Sequence, residues 1–278
     1  MTDETTWVTV RINPGSRRDA VIAALFDNGA QGIQEAGDLV ITQVPSQSDA
    51  NTLVCAALAA SSDARVDTEP LVAVDWSEQW KRGIRAQDLG AVTIAPPWLA
   101  AGLDPERSVI IEPAMAFGTG EHATTRGVVR LLQSVIRAGD RVADLGTGSA
   151  VLAIAAAKLG ARYVAAIEID HDAISNAEEN VQRNGVADRV TVIEGDAAVL
   201  LPLVAPIRVI TANIISSVLI GLLPMFQQCL DANDGIAILS GILAAEREMM
   251  QGVLDAAGWR IDAEDREDIW WTAAIVRR

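Results

Sequence analysis

The stretch Val142-Ala143-Asp144-Leu145-Gly146-Thr147-Gly148-Ser149 decides how the rest of this chain is read. An apolar run ends in Gly-x-Gly and passes into helical spacing, so the segment reads as a buried strand, a tight turn and a helix start. Glycines at such a junction let bare backbone approach a ligand, and the first turn of the helix offers unpaired N–H groups. This is the pattern of a cofactor turn. The bland alternative is a strand-to-helix turn that uses glycine for geometry alone.

The neighbouring residues narrow the cofactor. A dinucleotide turn has the form G-x-G-x-x-G/A, with a small third residue that lets helix and strand pack closely. Counted from Gly146, that position is Val151. A diphosphate would also lie beside the like charge of Asp144. No Gly-Lys-Ser/Thr follows, so a P-loop is excluded. The remaining form, D-x-G-x-G, suits S-adenosylmethionine (AdoMet). That ligand has an ammonium for Asp144 to attract, and no phosphate to be cradled by Gly146 and Gly148.

Composition sets the wider frame. The chain has 278 residues, half of them hydrophobic, which suits one large or two modest domains with a packed core. No apolar run reaches the roughly 18 residues of a membrane span. The acidic start, Met1-Thr2-Asp3-Glu4, lacks the pattern of a signal peptide. Cys55 and Cys229 are too few and too isolated for a disulfide framework or a zinc site. A cytoplasmic, metal-free protein is expected. The net charge of −15 disfavours nucleic acid as a partner and favours a basic protein. Residues 1–80 alone carry twelve carboxylates against four arginines, a net of −8. Solubility alone would also explain such a surface.

Outward from the turn, periodicity separates two regions. Residues 1–74 read as strand (7–12), helix (16–28), hairpin around Ala36-Gly37-Asp38, helix (49–60) and strand (65–74). The order βαββαβ is the ferredoxin-like pattern. Residues 75–100 read as a linker with a helix carrying Trp76 and Trp80 on one face. Residues 91–111 look like short strands broken at Pro96-Pro97. From Gly120 the chain alternates helix and strand, with strands at 141–145, 163–169, 190–194, 208–213 and 235–240. A terminal pair at 259–264 and 269–277 has no helix between its members. The expectation for 101–278 is an α/β fold, a doubly wound seven-stranded sheet of the class I methyltransferase plan. Its ligand would lie at the carboxyl ends of the strands.

Four elements should meet there. The first is the turn itself, Asp144 to Gly148. Glu168 lies 22 residues past Gly146 at the end of the next strand, where a carboxylate accepts ribose hydroxyls. Asp170 competes for that role, or caps the following helix. Asp196 of Glu194-Gly195-Asp196 either accepts from an adenine amino group or belongs to a simple turn. Asn213, ending the fourth strand, offers an amide where a methyl acceptor would sit. Methyl transfer from a sulfonium is an in-line displacement that needs alignment and a neutral amine more than acid–base help. A lysine amine loses its proton more readily when desolvated. His122 and His171, the only histidines, have no nucleophile or metal partner by spacing.

Upstream lies Glu112-Pro113-Ala114-Met115-Ala116-Phe117-Gly118-Thr119-Gly120-Glu121-His122-Ala123-Thr124-Thr125. With D-L-G-T-G-S behind it, Ala212-Asn213-Ile214 further on and Leu239-Ser240-Gly241-Ile242-Leu243 on the fifth strand, it resembles the ribosomal protein L-eleven methyltransferase family. The likeness extends over most of the chain. It implies an AdoMet-dependent protein-lysine N-methyltransferase acting on a basic large-subunit ribosomal protein, with some methylation at the N-terminal α-amine. It further implies AdoMet contacts at Thr125, Gly146, Glu168 and Asn213. Phe117, Gly118 and Thr119 belong to a glycine-rich loop able to close over the cofactor. Thr125 either donates to the ligand or caps the helix after it. Two departures stand out: Glu168 where the family usually has Asp, and E-P-A-M where it has D-P-G-x. A lysine methyltransferase of another protein, and a non-catalytic binding module on the same fold, are the rival expectations. A glutamine or nucleic-acid amino methylase would carry N-P-P-Y where this chain has Asn213-Ile214-Ile215-Ser216. A monomer is expected.

Overall fold

The computed structural model describes residues 7–71, 84–113, 118 and 120–278. They fall into two compact units divided between Gly83 and Ile84, inside the segment 75–100. The helix expected around Trp76 and Trp80 lies outside the described residues.

The first unit runs β1 (Val8–Asn13), α1 (Arg18–Asp27), β2 (Gln34–Ala36), β3 (Leu39–Val44), α2 (Gln47–Ala60) and β4 (Arg65–Pro70). Its strands form one antiparallel sheet in the order β2-β3-β1-β4. Alternation selects the buried face: Val8, Val10 and Ile12 pack with Val40, Val44 and the helix residues Val21, Leu25, Leu53 and Ala57. Ser46 accepts from the Asp49 N–H at 3.1 Å and starts α2 two residues before the expected position.

The second unit opens with a small sheet, β5 (Gln87–Asp88), β6 (Thr93–Ala95) and β7 (Ser108–Ile110), interrupted by a 3₁₀ turn at Pro97–Leu99. The main layer follows: α3 (Ala123–Val135), β8 (Arg141–Leu145), α4 (Val151–Lys158), β9 (Tyr163–Glu168), α5 (His171–Arg183), β10 (Val190–Glu194), α6 (Ala197–Val204), β11 (Val209–Asn213), α7 (Ser216–Cys229), β12 (Ile236–Leu243), α8 (Arg247–Ala256), β13 (Trp259–Glu267) and β14 (Trp270–Arg277). The seven-stranded sheet has the order β10-β9-β8-β11-β12-β14-β13. The first five are parallel, and β14 runs antiparallel to both β12 and β13. This is the expected doubly wound class I methyltransferase plan. Both faces are covered, so the strands are near-continuous apolar runs. Val142, Val164, Val209 and Ile238 pack with α3, α4 and α5, whereas Ala143, Ile167, Ile210 and Leu239 pack with α6, α7 and α8.

From β8 the chain winds one way to β9 and β10, then returns to the other side for β11 and β12. The gap between the carboxyl ends of β8 and β11 is therefore a topological switch point, where open α/β sheets bind ligands.

Candidate functional site

The turn after β8 is held from beside and below. The N–H groups of Gly146 and Thr147 both donate to the Ile167 carbonyl of β9, at 2.9 and 3.1 Å. Gly146 has φ +67°, and a Cβ there would come within 2.7 Å of Ile214 Cγ2. Glycine is thus demanded twice, by backbone conformation and by a neighbour that follows β11. Positive φ recurs at alternate residues, Gly146, Gly148 and Ala150, before the chain enters α4.

Asp144 is fully buried. The register pairs it with Thr211 on β11. Its Oδ1 accepts from Thr211 Oγ1 at 2.7 Å and its Oδ2 from Thr147 Oγ1 at 2.5 Å. Burial pushes its pKa up to about 6, against the opposing pull of those hydroxyl bonds and of the Ala153 N–H. The expected direct attraction of a ligand ammonium by Asp144 meets a different arrangement. The carboxylate does not line the cavity; it sits beneath the turn and pins it to β11.

Glu168 ends β9 beside the turn. Its Oε2 accepts from the Gly148 N–H at 2.8 Å, and its Oε1 accepts from the N–H groups of Ile169 and Asp170 at 2.9 and 3.0 Å. A carboxylate offers about four accepting positions, so three are committed within the chain and about one faces the cavity. The sequence reading has Glu168 accept both hydroxyls of a ribose; three internal bonds leave direct room for one. Asp170 caps α5, accepting from the Asp172 N–H at 3.0 Å, and Asp196 caps α6 through the Ala198 N–H at 2.8 Å. Both still line the cavity, so capping and facing the ligand space are combined in each.

Above the turn, adjacent threonines of α3 separate. His122 is the N-cap residue of α3, and its Nδ1 lies 2.7 Å from Thr124 Oγ1. Thr125 points the other way: its Oγ1 is buried, has no hydrogen-bond partner among the described residues and belongs to the cavity wall. Ser149 Oγ donates to the Gly118 carbonyl at 2.6 Å, which fixes Gly118 against the turn. Phe117 and Thr119 lie outside the described residues.

One cavity of about 620 Å³ gathers Gly118, Thr125, Gly146, Gly148, Glu168, Asp196 and Asn213. Leu145, Val151, Ile167 and Leu222 supply apolar lining, the usual make-up of a small-molecule pocket. Ser149, Ile214 and its neighbour Gly241 stand in the quoted motifs, but the sequence assigns none of them a role of its own. A Cβ on Gly241, at φ +81°, would come within 2.6 Å of the Ile214 carbonyl oxygen, so Ile214 sits between two glycines. The spacing of those glycines, 95 residues apart, carries no local signal of this contact.

A family model described as Ribosomal protein L11 methyltransferase (PrmA) matches residues 7–278. The chain belongs to this family. Among curated relatives, a ribosomal protein L11 methyltransferase of Exiguobacterium sibiricum is 37% identical over 207 residues, which cover 73% of this chain and 64% of the relative. One from Bacillus cereus is 36% identical over the same length and is covered to 65%. The chain thus spans about two thirds of the length of these relatives, 64 and 65%. A solved ribosomal protein L11 methylase from Lactobacillus delbrueckii subsp. bulgaricus is similar with a TM-score of 0.63 and 31% identity, covering 70% of this chain and all of that one. The likeness to this L11 methylase extends the family membership from sequence to three dimensions.

Proposed function

We propose that this chain binds AdoMet in the cavity at the switch point and methylates lysine side-chain amines, and the N-terminal α-amine, of ribosomal protein L11. The observation that carries the proposal is the buried hydroxyl of Thr125, unpartnered among the described residues, in a wall shared with Gly146, Glu168 and Asn213. A buried hydroxyl left without a bond costs about 1–3 kcal/mol, and a polar ligand group would relieve that cost. The names of the relatives support the substrate.

The residues present fit the cofactor. Bound there, AdoMet supplies an electrophilic methyl carbon. Thr125 would hold its aminoacyl end, the bare backbone at Gly146 would allow close approach, and Glu168 would accept from one ribose hydroxyl. Asp196 borders the base. Asp144 acts at one remove, holding the turn in shape through Thr147 and Thr211. The Asn213 carbonyl would accept from the incoming amine and orient it. The apolar lining favours the uncharged amine, which would lose its proton to solvent on entering the cavity and before transfer.

The first unit, whose element and strand orders support a ferredoxin-like reading, recruits the target. Its acidic sequence attracts a basic protein. We further read the chain as a cytoplasmic monomer that engages neither nucleic acid nor membrane. The net charge of −15 opposes a phosphate backbone. Among the described residues no helix is long and apolar enough to cross a membrane.

The test is incubation with labelled AdoMet and a ribosome-free extract, followed by mass mapping of the labelled band. Label on L11 amines is expected. Label on an unrelated protein, or on RNA, overturns the substrate and leaves the cofactor standing; no label and no AdoMet binding overturns both.

A further inference from the structure

Helix α5 and its C-cap residue carry asparagines at 176, 180 and 184, each four residues from the next and so on one face. That face meets the chain leaving β7. The Ile110 N–H donates to Asn184 Oδ1 at 2.7 Å, and Asn184 Nδ2 donates to the Ile110 carbonyl at 2.7 Å. The Glu112 N–H donates to Asn180 Oδ1 at 2.9 Å, and Asn176 Nδ2 donates to the Glu112 carbonyl at 3.3 Å. The match is geometric. Four helical residues rise about 6.0 Å and two strand residues about 6.6 Å, so amides at i and i+4 meet alternate residues of an extended chain. On its other side this chain bonds to β6, through the Ile111 N–H and the Ala95 carbonyl at 3.0 Å. The asparagines therefore serve as the missing strand along that edge.

Asn180 does something its neighbours do not. Its Nδ2 also donates to the Ser149 carbonyl at 3.1 Å, in the turn that follows Gly148. Ser149 in turn donates through Oγ to the Gly118 carbonyl at 2.6 Å. Asn180 is fully buried and Ser149 nearly so. The amide orientation is dictated by its partners: the oxygen faces an N–H and the NH₂ faces a carbonyl, so rotating it by half a turn would spoil both. One side chain thus ties Glu112, the glycine turn and, through Ser149, the Gly118 wall of the cavity into a single unit.

We propose that Asn180 is a positioning residue for the cofactor pocket, acting through Ser149 to set where Gly118 stands relative to the turn. The proposal rests on the cavity being an AdoMet pocket, and it concerns a residue that touches no ligand. The test uses the full chain with Asn180→Ala, Ser149→Ala and Asn184→Ala. Asn184 belongs to the same stripe and makes bonds of the same kind, but does not reach Ser149.

AdoMet affinity is read by calorimetry, and backbone hydrogen exchange is read with no ligand present. Asn180→Ala and Ser149→Ala are expected to raise Kd by about tenfold or more, the equivalent of one buried hydrogen bond. Asn184→Ala should change it by less than about threefold on the same scale. Exchange should accelerate at residues 146–150 in Asn180→Ala, and only around 108–112 in Asn184→Ala. Equal effects of the two asparagine variants on Kd and exchange would show a merely structural stripe and overturn the proposal. If Asn180→Ala fails to fold, an unchanged Kd in Ser149→Ala overturns it. If the unmodified chain binds no AdoMet, the pocket reading fails by itself. The exchange pattern then still decides whether Asn180 governs the turn.

Discussion

The Gly148 N–H donates to Glu168 Oε2 at 2.8 Å, so the turn after β8 is fastened to the end of β9 by a charged acceptor. The other carboxylate oxygen holds two further N–H groups of its own strand end. Glu168→Gln replaces one accepting oxygen by an NH₂ that faces backbone donors. At least one of those donors loses its partner. The expected outcome is a loss of about 1–3 kcal/mol in unfolding free energy together with weaker AdoMet binding, checked by urea denaturation and calorimetry. An unaltered Kd would remove Glu168 from the pocket.

Thr125→Val tests the unpartnered hydroxyl directly. The substitution keeps the shape of the side chain and removes only the buried oxygen. Ligand-free stability should rise by about 1 kcal/mol, whereas AdoMet affinity should fall. Opposite signs on the two measurements distinguish a ligand contact from a packing role. A loss of stability without ligand would speak against it.

Gly146→Ala introduces strain from φ +67° and a Cβ 2.7 Å from Ile214 Cγ2. Destabilisation of roughly 1–3 kcal/mol is expected from the backbone alone, with the side-chain overlap in addition. Adding Ile214→Ala clears the overlap and leaves the backbone strain. Partial recovery of thermal stability in the double variant is the predicted result; full recovery or none would mean that only one of the two causes operates.

Asp144 gives the stability of the second unit a pH signature. Its pKa rises from 3.8 to about 6 on folding because the charged form is desolvated. Between those values the folded state binds more protons than the unfolded one, so this group's contribution to stability declines as pH rises from 4 to 6. Above pH 6 the cost is constant, about 3 kcal/mol for a shift of this size. Asp144→Asn should therefore gain stability relative to the unmodified chain as pH goes from 4 to 7, the difference growing by that order. A pH-independent difference in unfolding free energy would show that Asp144 is not held at a raised pKa.

Most of the architecture was legible from local pattern. Buried parallel strands are apolar runs bounded by turn residues, which is why Val142 to Leu145, Tyr163 to Glu168 and Val209 to Asn213 stand where their sequences indicate. The last hairpin is longer than its pattern indicates: β13 continues to Glu267, past the expected end at 264. Its alternation there is of charged residues, Glu264 to Glu267, two of which, Asp265 and Glu267, pair with Arg130 and Arg126 of α3. Sequence distance hid those partners.

At the site, residue types and strand ends were apparent from the chain alone, but not what each side chain faces. Asp144, next to last in β8, and Glu168, last in β9, both adjoin the turn, yet one is sealed beneath it and the other lines the cavity. Register decides this, because β11 brings Thr211 opposite Asp144. Thr124 and Thr125 are the same residue type in succession; about 100° of helix rotation per residue sends one to His122 and the other to the cavity.

The order of elements, the position of the glycine turn and the family can be read along the chain, since they depend on periodicity and short-range turn chemistry. Tertiary structure decided that Asp144 is a fastening for the turn, that Gly146 is demanded by Ile214, and that Asn180 reaches Ser149. Each of those depends on a partner brought in by strand order and helix packing, and local spacing carries no record of it.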